Sequence, residues 1–161
     1  MEPIQEEFLR IVADYQGIIH KVNKIYFKST IDKQDNFQEV IYQLWRSFPS
    51  LRDRDKLASW IYAVAINTSI AKIRKDSKFV FYDSVPETIQ TEIDSGVEQR
   101  INYQHLLDAL QKLNKIDRSI MLLYMEDYSY DDIAEIIGIT SSNVGVKIHR
   151  IKSQLKKMLK D

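Results

Sequence analysis

The sequence predicts an all-α chain: two small helical domains joined by a flexible acidic linker, the C-terminal one a helix-turn-helix. Three observations predict it. Glycine and proline are scarce, four and three in 161 residues, and apolar–polar alternation with β-branched residues is weak. Apolar residues recur instead at helical spacing through most of the chain. Between residues 76 and 100 that spacing gives way to Pro86, Gly96 and several Ser and Thr. There Asp76, Asp83, Glu87, Glu92, Asp94 and Glu98 outnumber the cations. The expected boundaries are 1–77, a linker over 78–100, and 101–161.

In the first block, Phe8, Ile11, Val12, Tyr15, Ile18, Ile19, Val22 and Ile25 define one amphipathic helix. A polar patch at Ser29 to Asp32 interrupts it. Phe37, Val40, Ile41, Leu44 and Trp45 define a second helix. Pro49 then breaks the chain, and residues 50–56 form a charged loop. Trp60, Ile61, Val64, Ala65 and Ile66 begin a third helix that runs to Ile73 and ends in Arg74 and Lys75. A large aromatic at such spacing is read as core, so Trp60 is expected to pack rather than to stack on a ligand.

Beyond the linker, Leu106, Leu107, Leu110 and Leu113 form one stripe, and Ile120, Met121, Leu123 and Tyr124 the next. The stretch from Tyr128 to Lys157 then reads as two short helices and a tight turn. Ser129, with Asp132 three residues on, is a helix-start signature. Ile133, Ala134, Ile136 and Ile137 give that helix an apolar face. Gly138 supplies the left-handed exit. Thr140 or Ser141 caps the next helix, whose Val144, Ile148 and Ile151 face inward. Small Ala134 lies where two helices must approach closely. This is the pattern whose second helix enters the major groove of DNA.

Charge fits that reading. No carboxylate occurs from Ile136 to Lys160, where Lys147, Arg150, Lys152, Lys156, Lys157 and Lys160 lie. Cations on such a helix displace counterions from a phosphate backbone. Helix-dipole stabilisation of a solvated helix end would favour the same cations. Just upstream, Glu126, Asp127, Asp131, Asp132 and Glu135 form an acidic stretch with no cation among them.

Composition excludes several classes. The formal net charge is +0, so the chain is not uniformly basic; its charge is segregated along the sequence. It has no cysteine, hence no disulfide or thiolate zinc site, and its histidines, His20, His105 and His149, are far apart. No metal or cofactor is expected. With no glycine-rich phosphate loop and no nucleophile constellation, an enzyme is not expected either. No apolar signal core and no run of membrane-spanning length is present, so a cytoplasmic protein without membrane insertion is expected.

Two further segments carry a resemblance. They are Asp35-Asn36-Phe37-Gln38-Glu39-Val40-Ile41-Tyr42-Gln43-Leu44-Trp45, and Trp60-Ile61-Tyr62-Ala63-Val64-Ala65-Ile66-Asn67 followed by Ile73-Arg74-Lys75. In order with the helix-turn-helix, they resemble the sigma factors of bacterial RNA polymerase, most closely the two-domain extracytoplasmic-function class. The resemblance covers nearly the whole chain. It implies a promoter-specificity subunit with core RNA polymerase and promoter DNA as partners, and an anti-sigma factor as inhibitor. It implies a polymerase-binding helix carrying Asp35, Gln38, Glu39 and Gln43, with Val40 and Leu44 packed inward. On spacing alone, an ordinary exposed face over a buried Trp45 would look the same.

The resemblance further implies that the first domain captures the melted minus-ten element. Arg52, Arg54, Lys56, Lys72, Arg74 and Lys75 would serve phosphates, and Asn67 a base edge or the backbone. The second domain would read the minus-thirty-five duplex through Ser142, Asn143, Lys147, His149, Arg150 and Lys152. One departure stands out: Gly145 and Val146 replace the cation and small polar residue common in the family. Glycine there would let the backbone approach DNA, and Val146 would meet a thymine methyl. A stand-alone helix-turn-helix regulator would explain the C-terminal half equally well, but has no need of the two N-terminal segments.

Overall fold

The computed structural model of the chain describes residues 2–77 and 97–160, which are helical with short connections and, among these residues, no strand. The expected linker over 78–100 lies mostly outside them. The helices are α1 (Pro3–Tyr26), α2 (Thr30–Ser47), α3 (Leu57–Ser77), α4 (Val97–Gln111), α5 (Lys115–Met125), α6 (Tyr130–Ile137) and α7 (Ser141–Lys160). No helix among the described residues is long and apolar enough to cross a membrane.

Helices α1, α2 and α3 pack pairwise into a three-helix unit. Phe8, Ile19, Val22 and Ile25 from α1, Val40 and Leu44 from α2, and Ile61, Ala65 and Ile66 from α3 are buried in it. Its centre is not wholly apolar. The Asn36 amide nitrogen donates to Asn23 Oδ1 (2.7 Å) and to Ser69 Oγ (2.9 Å). Ser69 in turn donates to the Ala65 carbonyl (2.7 Å), and Asn23 to the Lys33 carbonyl (3.0 Å). One polar side chain from each helix therefore meets in the core, as burial of such groups demands. Among the buried side-chain polar atoms of the described residues, Asn36 Oδ1 alone lacks a partner.

The polar patch after α1 is a cap. Ser29 Oγ accepts from the Asp32 N–H (3.1 Å) and starts α2. Two single 3₁₀ turns, Phe48–Ser50 and Arg54–Lys56, then shape the charged loop, and Asp53 accepts from the Asp55 N–H (3.0 Å) to begin the second. Trp60 is half-buried, its ring 6.3 Å from that of Phe48, in keeping with a packing role.

Helices α4 to α7 form the second unit, with Leu110, Leu113, Ile120, Leu123, Ile133, Val144, Ile148, Ile151 and Leu155 in its core. Ser129 Oγ accepts from the Asp132 N–H (3.1 Å) at the start of α6. Gly138 ends it at φ 87°, a left-handed conformation that glycine adopts without steric cost. Thr140 caps α7 by accepting from the Asn143 N–H (3.2 Å).

The two units are docked. Tyr26 Oη donates to the Lys115 carbonyl (2.6 Å), and Arg118 Nη1 to the Ile25 carbonyl (3.4 Å). The Tyr62 and Tyr128 rings meet edge to face, centroids 5.5 Å apart. Burial raises the Tyr26 and Tyr62 phenols well above the ordinary tyrosine value, and Glu126 adds to the effect at Tyr62. Tyr128 is raised too, again chiefly by burial.

Candidate nucleic-acid interface

The outer face of α7 follows from its inner one. Val144, Ile148, Ile151 and Leu155 are buried at helical spacing, so Ser142, Asn143, Val146, His149, Arg150 and Ser153 are exposed. Val146 is 67% exposed, the most open large apolar side chain on this helix. Ser141 Oγ donates to Asp131 Oδ1 (2.5 Å), tying the first turn of α7 to that of α6. A rigid helix pair with a small, polar and partly apolar outer edge is what groove reading requires.

Not every expected duplex contact lies on that edge without other engagements. Arg150 Nη2 donates to both carboxylate oxygens of Asp117, at 3.1 and 3.3 Å, across to α5. Lys152 Nζ donates to Tyr124 Oη (2.5 Å) and sits 4.3 Å from that ring's centroid. The Tyr124 hydrogen bond raises the ammonium above its ordinary value. Lys147 is half-buried on the flank of the helix. Gly145 does not face outward as the sequence suggested. A Cβ built on it would lie 3.5 Å from Tyr130 Cε2, so the glycine looks toward α6.

In the first unit, Arg52, Arg54, Lys56, Asn67, Arg74 and Lys75 are exposed and Lys72 is half-buried. They lie along the loop and the outer side of α3. Arg54 Nε is 3.6 Å from Glu7 Oε1, and its guanidinium carbon lies 4.2 Å from the Phe48 ring centroid. Lys56 Nζ is 3.3 Å from Glu135 Oε1 of α6.

On α2, Asp35, Gln38 and Glu39 are exposed, Gln43 is half-buried, and Gln43 Nε2 donates to Glu39 Oε1 (3.0 Å). Val40 and Leu44 do pack inward. Trp45 is not buried: it is 39% exposed, one side resting on Phe8 at 5.0 Å. Tyr42, 56% exposed, stands on the same face and was not among the expected contacts. Its signal was present in the sequence, four residues after Gln38 and three before Trp45, one helical stripe. Exposed aromatics are enriched at interface centres, and polar groups line their rims.

Comparison with known proteins divides the chain as its fold does. The model for sigma-70 region 2 matches residues 11–79, and that for sigma-70 region 4 matches residues 103–155. The RNA polymerase sigma factor SigV of Bacillus subtilis is 28% identical over 140 residues, covering 86% of this chain and 82% of SigV. The extracytoplasmic-function factor SigW of the same organism is 24% identical, covering 98% and 91%. Among solved structures, the sigma factor RpoE of Bartonella quintana, in complex with the anti-sigma factor NepR, superposes with a TM-score of 0.69 at 20% identity. It covers 99% of this chain and 98% of that one. CnrH, in complex with the cytosolic domain of CnrY, gives 0.68 at 16%, covering 97% and 89%. These two likenesses are of fold.

Proposed function

The chain belongs to the sigma-70 family, in its extracytoplasmic-function class, and from that premise we propose how its surfaces divide the work of a promoter-specificity subunit. Such subunits are initiation factors: they bind core RNA polymerase, direct it to promoters and assist melting, while the polymerase performs the chemistry. The observation that carries the assignment is the ordered pairing of region 2 on α1 to α3 with region 4 on α4 to α7.

Our reading gives α2 to polymerase, through Asp35, Gln38, Glu39 and Gln43 with Tyr42 and Trp45 beside them. It gives the 50–56 loop and α3 to the melted element. Arg52, Arg54, Lys56, Lys72, Arg74 and Lys75 serve phosphates, and Asn67 a base edge or the backbone. It gives α7 to the upstream duplex. Ser142, Asn143 and His149 supply polar groove contacts, and Val146 supplies an apolar one suited to a thymine methyl. Lys147, Arg150 and Lys152 act nearer the phosphates, where they set register rather than sequence. Residues 78–100 tether the two domains, 1–77 and 101–161. The place of work is the cytoplasm, with the polymerase. Because RpoE was solved in complex with the anti-sigma factor NepR, we extend to this chain the expectation of an anti-sigma factor.

Run-off transcription with bacterial core enzyme tests the assignment. Added chain should program initiation at a restricted promoter set. Failure to bind core polymerase in a pull-down would end it. Within it, Glu39→Lys should weaken core binding more than promoter binding, while Val146→Asp should do the reverse.

A further inference from the structure

The acidic stretch 126–135 has no task in the division above. It carries Glu126, Asp127, Asp131, Asp132 and Glu135 and no Lys or Arg. The fold gives it a neighbour. Asp127 turns left-handed at φ 65° after α5, and α6 then packs against α3 of the other domain. Glu126 Oε2 lies 2.9 Å from Lys21 Nζ, and Glu135 Oε1 lies 3.3 Å from Lys56 Nζ. Between these pairs Tyr128 stacks edge-on against Tyr62 of α3, which is left only 3% exposed. A cleft of about 450 Å³ beside them is lined by Ile18, Lys21, Tyr62, Glu126, Tyr128 and Asp132 among others. Carboxylates of one domain thus sit on cations of the other, at the edge of the helix read here as the melted-strand surface.

We propose that the acidic segment 126–135 is an internal competitor for nucleic acid: in the free chain it holds Lys21 and Lys56, and a phosphate backbone must displace it. The proposal rests on the assignment of Lys56 to the melted strand. Two features suit the segment to this work. Carboxylates offer a cation the same kind of anionic oxygen that a phosphate does. The pairs also reach solvent, with side chains 57% and 65% accessible at Lys56 and Glu135 and 49% and 32% at Lys21 and Glu126, so each is weak and screened by salt. A latch of weak exposed pairs releases to a polyanion, whereas a buried pair would not. The Tyr26–Lys115 and Arg118–Ile25 hydrogen bonds involve none of these carboxylates.

The test uses the full chain and a fluorescein-labelled, mixed-sequence single-stranded DNA oligonucleotide. Glu126→Gln/Glu135→Gln is compared with Glu6→Gln/Asp14→Asn, which removes the same charge from exposed positions on α1. Neutralising the latch should raise oligonucleotide affinity by about fivefold at low salt, given the usual strength of two exposed pairs, and the gain should shrink as salt rises. The control pair should change affinity by less than about twofold, through net charge alone. Because the native chain has no cysteine, dyes on cysteines introduced at Gln34 and Gln154 report the separation of the domains. Transfer efficiency should fall in the latch variant and stay unchanged in the control. Equal affinities for the two variants, or unchanged transfer efficiency in the latch variant, overturn the proposal while leaving the sigma-factor assignment standing. A chain that binds neither core polymerase nor oligonucleotide overturns both.

Discussion

Arg150 Nη2 on α7 lies 3.1 Å from Oδ2 of Asp117, a residue of α5 that is only 2% exposed. Asp117 is itself held by Asn114. The Asn114 side-chain amide donates to its carboxylate (3.0 Å), and the Asp117 N–H donates to Asn114 Oδ1 (2.9 Å). One carboxylate therefore joins the cap of α5 to the middle of α7.

Arg150→Ala is expected to destabilise the protein, not merely to weaken promoter contact. It removes a cationic partner from a buried carboxylate and leaves the Asn114 amide in place, at a cost of about 1–2 kcal/mol once the half-exposed position of the arginine is allowed for. Urea unfolding measures it. A variant as stable as its parent would assign Arg150 to DNA alone.

Gly145→Ala should stabilise α7 by about 1 kcal/mol, since glycine inside a helix costs that much relative to alanine. The new methyl meets Tyr130 at an ordinary contact distance of 3.5 Å. Thermal unfolding shows the gain. Raised stability with promoter binding intact is the expected pair of results; loss of binding would mean that the backbone at this position touches DNA after all.

Asn36→Ala should cost about 1–2 kcal/mol. It removes hydrogen bonds to Asn23 and Ser69 from the first core, but also deletes the unpartnered Oδ1, which places the cost at the lower end. Denaturant midpoints read it, and an unchanged midpoint would contradict the role given to this amide.

Alkaline pH should undo the docking of the two domains. Tyr26, Tyr62 and Tyr128 have folded-state values raised above the ordinary 10.0, so the folded chain keeps protons that the unfolded chain loses. Their contribution is whole below pH 10 and falls as pH rises beyond it. Phenolate absorbance should show these three tyrosines titrating above the ordinary value. Tyr62→Phe should lessen the alkaline loss of energy transfer between the domains.

The local architecture was legible because its signals are short-range. Ser29 and Ser129 cap as their spacing suggests, Gly138 takes the left-handed exit, and Val144, Ile148 and Ile151 turn inward. The helix-turn-helix and the exposed edge with Ser142, Asn143 and His149 follow from periodicity alone. Contacts spanning long stretches of chain were not legible. Lys56 and Glu135 are 79 residues apart, and Arg150 and Asp117 are 33 apart. Nothing in a helical repeat tells a surface lysine which carboxylate it will meet. Gly145 was misread for a related reason: composition marks it as unusual, but only the azimuth of α7 decides that it looks at Tyr130.

The amide–amide–hydroxyl cluster of Asn23, Asn36 and Ser69 has a consequence beyond its energy. Three greasy helices can roll against one another like pencils in a bundle, each setting nearly as comfortable as the next. Hydrogen bonds of 2.7 and 2.9 Å converging from all three permit one setting. The edge of α2 that we propose meets the enzyme and the edge of α3 that we propose meets the opened strand are thereby geared together, and neither can turn without stripping the teeth of the other.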